Sequence, residues 1–449
     1  MFKYLKSIFY KTSIREDSVQ QELVKGSAVS LFIKLTGTLL NYGLAIFISR
    51  LFGTGSYGLY SIFQTVLQFF TQLSKLGFDT LFMRASAQSN TEQEKKYLKS
   101  LFSFIFLVLL IVSIITSAIL FFSSHFIASF YFNKPVLENY FLVAAFCITP
   151  IVLMNLLASF LKGKKKVLAF TFLQQISLLL FTIVSIAILY LIDNNQINTS
   201  FAYLIATIIT LIISYQLFMK YDDFTKLNST VRLDINKETA IAITFLISGM
   251  MVFLRNGMET IFLGRYFTED IVGIFKASQK ISSITSITLL STLVISAPSF
   301  AKIYKDGDMK LLQKTTQRTT SIIGLTCLPI FIITILFPEF LLSLFGDDFV
   351  EGKEALIIMC VGQFINAFLG PLNNLLMMTG REKMVLNNFI FTNVVCAILG
   401  IIFIPMYGIL GAAYINLTGN ILLNAIPFYL VKKELGFYSL SLNSLFKSK

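Results

Sequence analysis

Twelve runs of mainly apolar residues, each long enough to cross a bilayer core as a helix, leave this chain little choice of fold. A lipid core offers no water to backbone N–H and C=O groups, so each run has to satisfy them internally, as a helix does. The runs fall at about 25–50, 57–84, 99–122, 139–161, 167–192, 199–219, 240–265, 271–300, 315–338, 354–378, 384–406 and 409–431. Composition agrees, with 55% apolar residues, 46 Phe and a mean hydropathy of +0.75 in 449 residues. Several runs exceed the ~20 residues that a bilayer needs, which predicts tilt, kinks or extension into water.

The 37 Lys and Arg residues divide unevenly among the connections. Twenty-eight lie on the alternate set that includes both termini, and only Arg50, Lys134, Arg265 and Lys353 lie on the other. The positive-inside rule therefore puts both termini in the cytoplasm. The +13 net charge is spent at span ends, so nucleic acid is not expected as a partner. Residues 1–24 set Phe2, Leu5, Ile8 and Phe9 against Lys3, Lys6 and Lys11, an amphipathic cytoplasmic segment suited to an anionic leaflet. No cleavable signal pattern precedes the first span, which is expected to stay as an anchor. A polar cytoplasmic linker at 221–239 then separates residues 25–220 from residues 240–434, and 435–449 form a cytoplasmic tail.

Those two long segments share a motif. NYGLAIFISRLFGTGSYGLYSIFQ at 41–64 recurs without a gap as NGMETIFLGRYFTEDIVGIFKASQ, 215 positions later, matching Asn41 with Asn256, Arg50 with Arg265, Gly58 with Gly273 and Gln64 with Gln279. A weaker echo relates the sequence around Gly163 to that around Gly380, an offset of 217. The expected fold is an all-α integral membrane protein, with about 12 transmembrane helices in two six-helix lobes. A parallel duplication relates the lobes by a pseudo-two-fold axis along the membrane normal.

Charge inside the membrane is costly, about 2.5–3.5 kcal/mol per residue at mid-helix, so each charged residue there should face protein, water or a ligand. Five basic residues lie within spans, Lys34, Lys75, Arg255, Lys276 and Lys280, against only Asp79 and Glu259. Lys75 with Asp79 and Arg255 with Glu259 are spaced i, i+4 and can pair on a helix surface. Lys276 and Lys280 share that spacing but repel, and Lys280 sits ~13 Å into its span at helical rise, too deep for easy snorkelling. Lys34 is similarly deep, while Arg50 near the outer end of the first span can reach the surface. Around a common axis, Lys34, Arg50, Arg255, Lys276 and Lys280 can line one cationic vestibule for an anionic solute. Asn41, Gln64, Asn256 and Gln279 would supply hydrogen bonds to hydroxyl-rich groups, and Glu259 or Asp79 could carry a coupling ion.

Other chemistry has little support. The four cysteines sit singly in apolar runs and read as core residues, and His125 reads as a solvated external loop residue, so no metal site or cofactor is expected. No phosphate-binding loop of the G-x-x-x-x-G-K-[ST] kind occurs.

KGSAVSLFIKLTGTLLNYGLAIFISRLFGTGSYGLYSIFQ, followed by LGFDTLFMR, resembles the start of the bacterial polysaccharide (O-antigen and capsule) flippases of the multidrug/oligosaccharidyl-lipid/polysaccharide exporter superfamily. Length, span count and two-lobe layout extend the resemblance over the chain; lipid II flippases are less similar and carry extra spans. The resemblance implies two lobes in a V that move an undecaprenyl-diphosphate-linked oligosaccharide outward across the inner membrane, and no enzymatic activity. It assigns cavity roles to Lys34, Arg50, Arg255, Lys276 and Lys280 by their matching spans, and a weaker one to Glu259. Membrane lipids, a polysaccharide polymerase and a chain-length regulator are the implied partners. Two alternatives stay open: a cation-coupled multidrug exporter of the same fold, which would want an acidic cavity, and a membrane glycan polymerase or ligase, which would want larger external loops.

Overall fold

In the computed structural model, residues 17–440 are described except 226 and 228–230, with backbone alone for 17–35, 290, 291 and 293–295. Most of the amphipathic segment expected at 1–24, and the end of the tail from 441 to 449, lie outside the described residues. Every expected span falls on helix. Helix α1 (Asp17–Lys75) holds the first two, because Gly53 (φ 82, ψ −176) breaks its 59 residues into two arms. Leu76 (φ 48) and Gly77 (φ 80) then interrupt the second span before α2 (Phe78–Gln88). A side chain on Gly77 would lie 2.1 Å from the Ala242 carbonyl oxygen, so the break lets two backbones cross closely.

The first half continues with α3 (Glu92–Phe126) and α4 (Leu137–Gly163). After α5 (Val167–Thr171) comes a π turn (Phe172–Ser177), then α6 (Leu178–Ile192) and α7 (Asn198–Tyr221). Helix α8 (Ile235–Tyr266) opens the second half; α9 (Glu269–Ser283) and α10 (Ile287–Lys305) are joined by a 3₁₀ turn at Ile284–Ser286. Next come α11 (Met309–Leu336), the short α12 (Pro338–Ser343), α13 (Lys353–Phe368) and α14 (Leu372–Met378). Gly370 (φ 85) and Pro371 interrupt the span that α13 and α14 share. Helix α15 (Glu382–Leu435) carries the last two expected spans on either side of Gly408 (φ 57). Among the described residues, eight helices are long and apolar enough to cross a membrane.

Helix ends recur in the two halves at the offset of the motif. Left-handed residues stand at Lys165 and Gly380, so the weaker echo aligns at 215 rather than at the 217 counted between its glycines. Helices α4 and α14 end at Gly163 and Met378, again 215 apart, and α7 and α15 at Tyr221 and Leu435, 214 apart. The contacts are reciprocal under the same shift. A Cβ on Gly58 would lie 1.8 Å from the Glu269 carbonyl oxygen, and one on Gly273 would lie 2.2 Å from that of Thr54. Thr54 and Glu269 are themselves 215 apart, so α1 and α9 meet as two copies of one surface. Small residues at a crossing let helix backbones touch, which is where packing energy inside lipid comes from.

The matched arginines behave alike as well. Arg50 donates through Nε to the Leu344 carbonyl (3.0 Å) and through Nη2 to that of Ser343, at the end of α12. Arg265 donates to the Phe130 carbonyl (2.6 Å) and to that of Tyr131, where the π turn extending α3 ends. Each arginine thus satisfies carbonyls that a helix terminus leaves unpaired, and opposes the negative end of its dipole.

Two corrections concern smaller features. His125 is in the last turn of α3 rather than in a loop, and its Nδ1 lies 2.8 Å from Glu138 Oε2. The Lys75–Asp79 pair (3.3 Å) bridges the Leu76–Gly77 break instead of lying along one helix, and places Asp79 in the first turn of α2, where the helix dipole favours a carboxylate.

Gly58→Ala or Gly273→Ala should force α1 and α9 apart and cost about 1–3 kcal/mol, read as a lower unfolding temperature in detergent. Gly43→Ala, which has nothing within 4 Å, should not. Unchanged stability in both crossing variants would remove the close contact from the account. In the linker, Asp223 accepts from Lys95 (2.9 Å) and Lys164 (3.1 Å). Burial raises its pKa, but the two lysines outweigh burial and hold the carboxyl below its usual range. A depressed folded pKa stabilises above the unfolded value, about 3.9, and that contribution disappears as pH falls through the folded value. Asp223→Asn should therefore flatten the acid side of the stability profile below about pH 4; a profile parallel to the parent's would contradict this.

Candidate functional site

The polar side chains of the central helices form a connected track. Tyr42, on the first arm of α1, donates its hydroxyl hydrogen bond to the Lys280 carbonyl (2.7 Å) and lies 2.8 Å from Ser283 Oγ. The Lys280 ammonium sits 5.8 Å from the centre of the Tyr42 ring, a cation–π contact. One turn before it on α9, Lys276 donates to Gln279 Oε1 (2.9 Å) and approaches the Asn256 carbonyl of α8 at 3.5 Å. Asn256 and Gln68 then line one cavity of about 350 Å³ between α8 and the second arm of α1. Asn41, Gln68, Asn256 and Ser283 are exposed, although each sits well inside a helix that is otherwise apolar. Exposed amides and hydroxyls at that depth are costly against lipid and better placed against water.

The track gathers some of the sequence candidates and not others. Lys276 touches Asn256 and Gln279, and Lys280 stands one helical turn beyond it. Lys276 and Lys280 form no ion pair among the described residues, and their like charges stand one helical turn apart. Arg255 turns the other way, into the second half. Its Nη1 is 3.1 Å from Glu259 Oε1 and its Nη2 donates to the Asn416 carbonyl at 3.0 Å. The two side chains are only 11% and 1% exposed. Gly419 makes room for this pair, since a Cβ there would lie 2.9 Å from Arg255 Cζ. Glu259 Oε2 is buried with no hydrogen-bond partner. Arg50 is at the far end of its arm, holding the end of α12. Gln64 donates to Tyr60 Oη (3.1 Å), and Asp79 is held by Lys75. The Lys34 side chain lies outside the described residues.

Several site residues escaped the sequence reading. Tyr42 orders Lys280 through its backbone, and nothing local in the sequence marks it. Gln64, Gln68 and Gln72 repeat at i, i+4 and i+8 on one helix, a polar stripe that periodicity alone could have found. The second arm of α15 carries a similar ladder. Asn416 Nδ2 reaches Glu259 Oε1 (3.4 Å), Asn420 Nδ2 donates to Asn416 Oδ1 (3.1 Å), and Asn424 Nδ2 donates to the Asn420 carbonyl (2.8 Å).

Solved transporters share this fold. The chain superposes with a TM-score of 0.75 on the inward-facing conformation of a multidrug resistance MATE family transporter of the MOP superfamily, at 17% identity, covering 90% of this chain and 98% of that one. With the lipid II flippase MurJ in an inward closed conformation the TM-score is 0.68 at 14% identity, over 93% and 89% of the two chains. In sequence, the chain is 24% identical over 277 residues to the capsular polysaccharide biosynthesis protein CapF of Staphylococcus aureus, 59% of this chain and 67% of that protein. Residues 47–353 match a family described as polysaccharide biosynthesis protein. An all-helical, multi-pass membrane protein with the fold of MOP superfamily transporters, the chain belongs to the polysaccharide biosynthesis protein family.

Proposed function

We propose that this protein is a flippase. It moves undecaprenyl-diphosphate-linked oligosaccharide repeat units, of O-antigen, capsule or exopolysaccharide, from the inner to the outer leaflet of the bacterial cytoplasmic membrane. The observation that carries the reading is the pair Lys276 and Lys280, two cations on one helix face with no carboxylate partner among the described residues. A diphosphate supplies the missing counter-charge, and charge-assisted hydrogen bonds from lysine would hold it. The apolar lipid-facing surfaces accommodate the prenyl tail, while an aqueous chamber along the polar track accepts the sugars. Twelve crossings in two six-helix lobes, residues 25–220 and 240–434, with both termini and the 221–239 linker in the cytoplasm, would let the lobes rock and exchange access. Translocation breaks no covalent bond in the cargo. A polysaccharide polymerase and a chain-length regulator would act on what is delivered.

The reciprocal contacts between α1 and α9 support such a two-fold arrangement. Arg50 and Arg265, each holding a helix end, serve in this reading as ties near the outer ends of their spans. Arg255 enters as the partner of Glu259, and it raises the local positive potential less than an unpaired arginine would. Glu259 keeps one unpartnered oxygen and Asp79, paired with Lys75, is partly exposed, so these two are the candidates for carrying a coupling ion. A multidrug exporter for cationic drugs would want free carboxylates beside the chamber, where this chain puts lysines.

Lys280→Ala and Lys276→Ala should each remove a charge-assisted hydrogen bond worth about 1.5–3 kcal/mol, cutting export about ten- to hundredfold at limiting substrate. Surface polysaccharide should fall, lipid-linked oligosaccharide should accumulate on the inner leaflet, and the amount of protein should not change. Normal export in both variants would overturn the assignment. Arg255→Ala tests something else, because it strands a buried carboxylate at a cost of about 3–5 kcal/mol. Its protein level should drop, and the double variant Arg255→Gln with Glu259→Gln should recover it. An Arg255→Ala protein as abundant as the parent would contradict the buried pair.

A further inference from the structure

The cavity beside the lysines has a chemistry of its own. It lies between the second arm of α1, the helices α4, α6, α7 and α8 and the π turn at Phe172–Ser177, and its volume is about 350 Å³. That volume falls within the ~300–1,000 Å³ of small-ligand sites. Its polar lining consists mainly of amides, from Gln68, Gln72, Asn155, Gln174 and Asn256, each of which offers both donors and acceptors. No carboxylate lines it, and its single charged lining residue, Lys75, is already engaged by Asp79 at 3.3 Å. Apolar side chains, Phe253 among them, complete the wall.

Two local features point to an occupant. Thr71 is only 7% exposed, lines the cavity, and its Oγ1 has no hydrogen-bond partner. A buried hydroxyl without a partner is costly, and rotation of the Thr71 side chain toward the cavity would offer it to a ligand hydroxyl. The π turn is the second feature. Such turns depart from the α-helical ladder and are frequent at functional sites. This one carries Gln174, whose Nε2 donates to Asn155 Oδ1 at 2.9 Å and so sets the orientation of both amides. Gly249 leaves space for a third, since a Cβ there would lie 1.9 Å from Gln72 Nε2.

We infer that this cavity binds an uncharged sugar ring of the transported lipid, with Gln68 and Thr71 reading its hydroxyls and Phe253 offering an apolar face to its C–H groups. The inference rests on the flippase reading and divides recognition in two: the diphosphate goes to Lys276 and Lys280 on α9, and the sugar to the amides of the first half. Asn256 links the regions, because its side chain lines the cavity and its carbonyl faces Lys276. An occupant with acidic sugars would place those beside the lysines instead.

The test compares two probes on the purified full chain in lipid nanodiscs. One is undecaprenyl diphosphate without sugar, and the other is the lipid-linked repeat unit extracted from the strain that carries the protein. The parent should bind the glycosylated lipid more tightly. Gln68→Leu with Thr71→Val should weaken that binding about tenfold, towards the affinity for the bare diphosphate, and leave the bare diphosphate unaffected. Lys280→Ala should weaken both probes. Equal affinity of the parent for the two probes, or an unchanged affinity of the Gln68→Leu, Thr71→Val protein for the glycosylated lipid, would overturn the sugar site alone. Equal weakening of both probes by that double variant would also overturn it, as a loss of structure rather than of recognition. Failure of the parent to bind bare undecaprenyl diphosphate would instead strike the flippase reading.

Discussion

Gly58 and Gly273 set how closely the two copies of the repeated hairpin approach, and much of the central geometry follows from that distance. With no side chain at either position, the backbone of α1 lies against that of α9, and each glycine faces the carbonyl of the residue that is the repeat-mate of the other's partner. The same register carries inward. Tyr42 meets Lys280, and the equivalent positions, Gly257 and Thr65, meet one another, a Cβ on Gly257 lying 3.1 Å from Thr65 Cγ2. One seam therefore brings tyrosine to lysine and the other brings glycine to threonine. Divergence at matched positions has placed the cations on α9 and left the opposite seam closely packed.

Lipid makes polar placement informative in a way that water does not. An exposed glutamine on a soluble helix needs no explanation, whereas Gln68 and Asn256, deep in apolar helices, require a wet surface. Buried charge is handled by a separate device. Arg255 and Glu259 neutralise one another against the asparagine ladder of α15, so the only unpaired cations along the track are Lys276 and Lys280 among the described residues. Among the described residues, the unpaired charge along the track is thus smaller than the count of intramembrane basic residues implies, and it lies on one face of one helix.

The helical state and the positions of the apolar runs were legible because a long apolar run in lipid has one solution. Their interruptions were less so. Gly370–Pro371 announces a break, but Gly53 and Gly408 stand in runs where a glycine is equally at home inside a membrane helix. The pairing of Arg255 with Glu259 follows from their spacing. The role of Arg50 does not, since its acceptors at Ser343 and Leu344 lie almost 300 residues away in sequence and are backbone atoms that carry no sequence signature. The amide cavity was hidden for a different reason. Attention to charge overlooks neutral groups, although Gln64, Gln68 and Gln72 keep a helical period, and the π turn that aims Gln174 leaves no mark in composition.

Whether the lysines of α9 hold the diphosphate is open to direct observation. A cryo-electron microscopic map of the chain bound to its lipid-linked oligosaccharide should show the two phosphorus centres within hydrogen-bonding reach of the Lys276 and Lys280 ammonium groups, beneath the Tyr42 ring. Diphosphate density elsewhere, with the ammonium groups still facing only Gln279, the Asn256 carbonyl and Tyr42, would contradict the account.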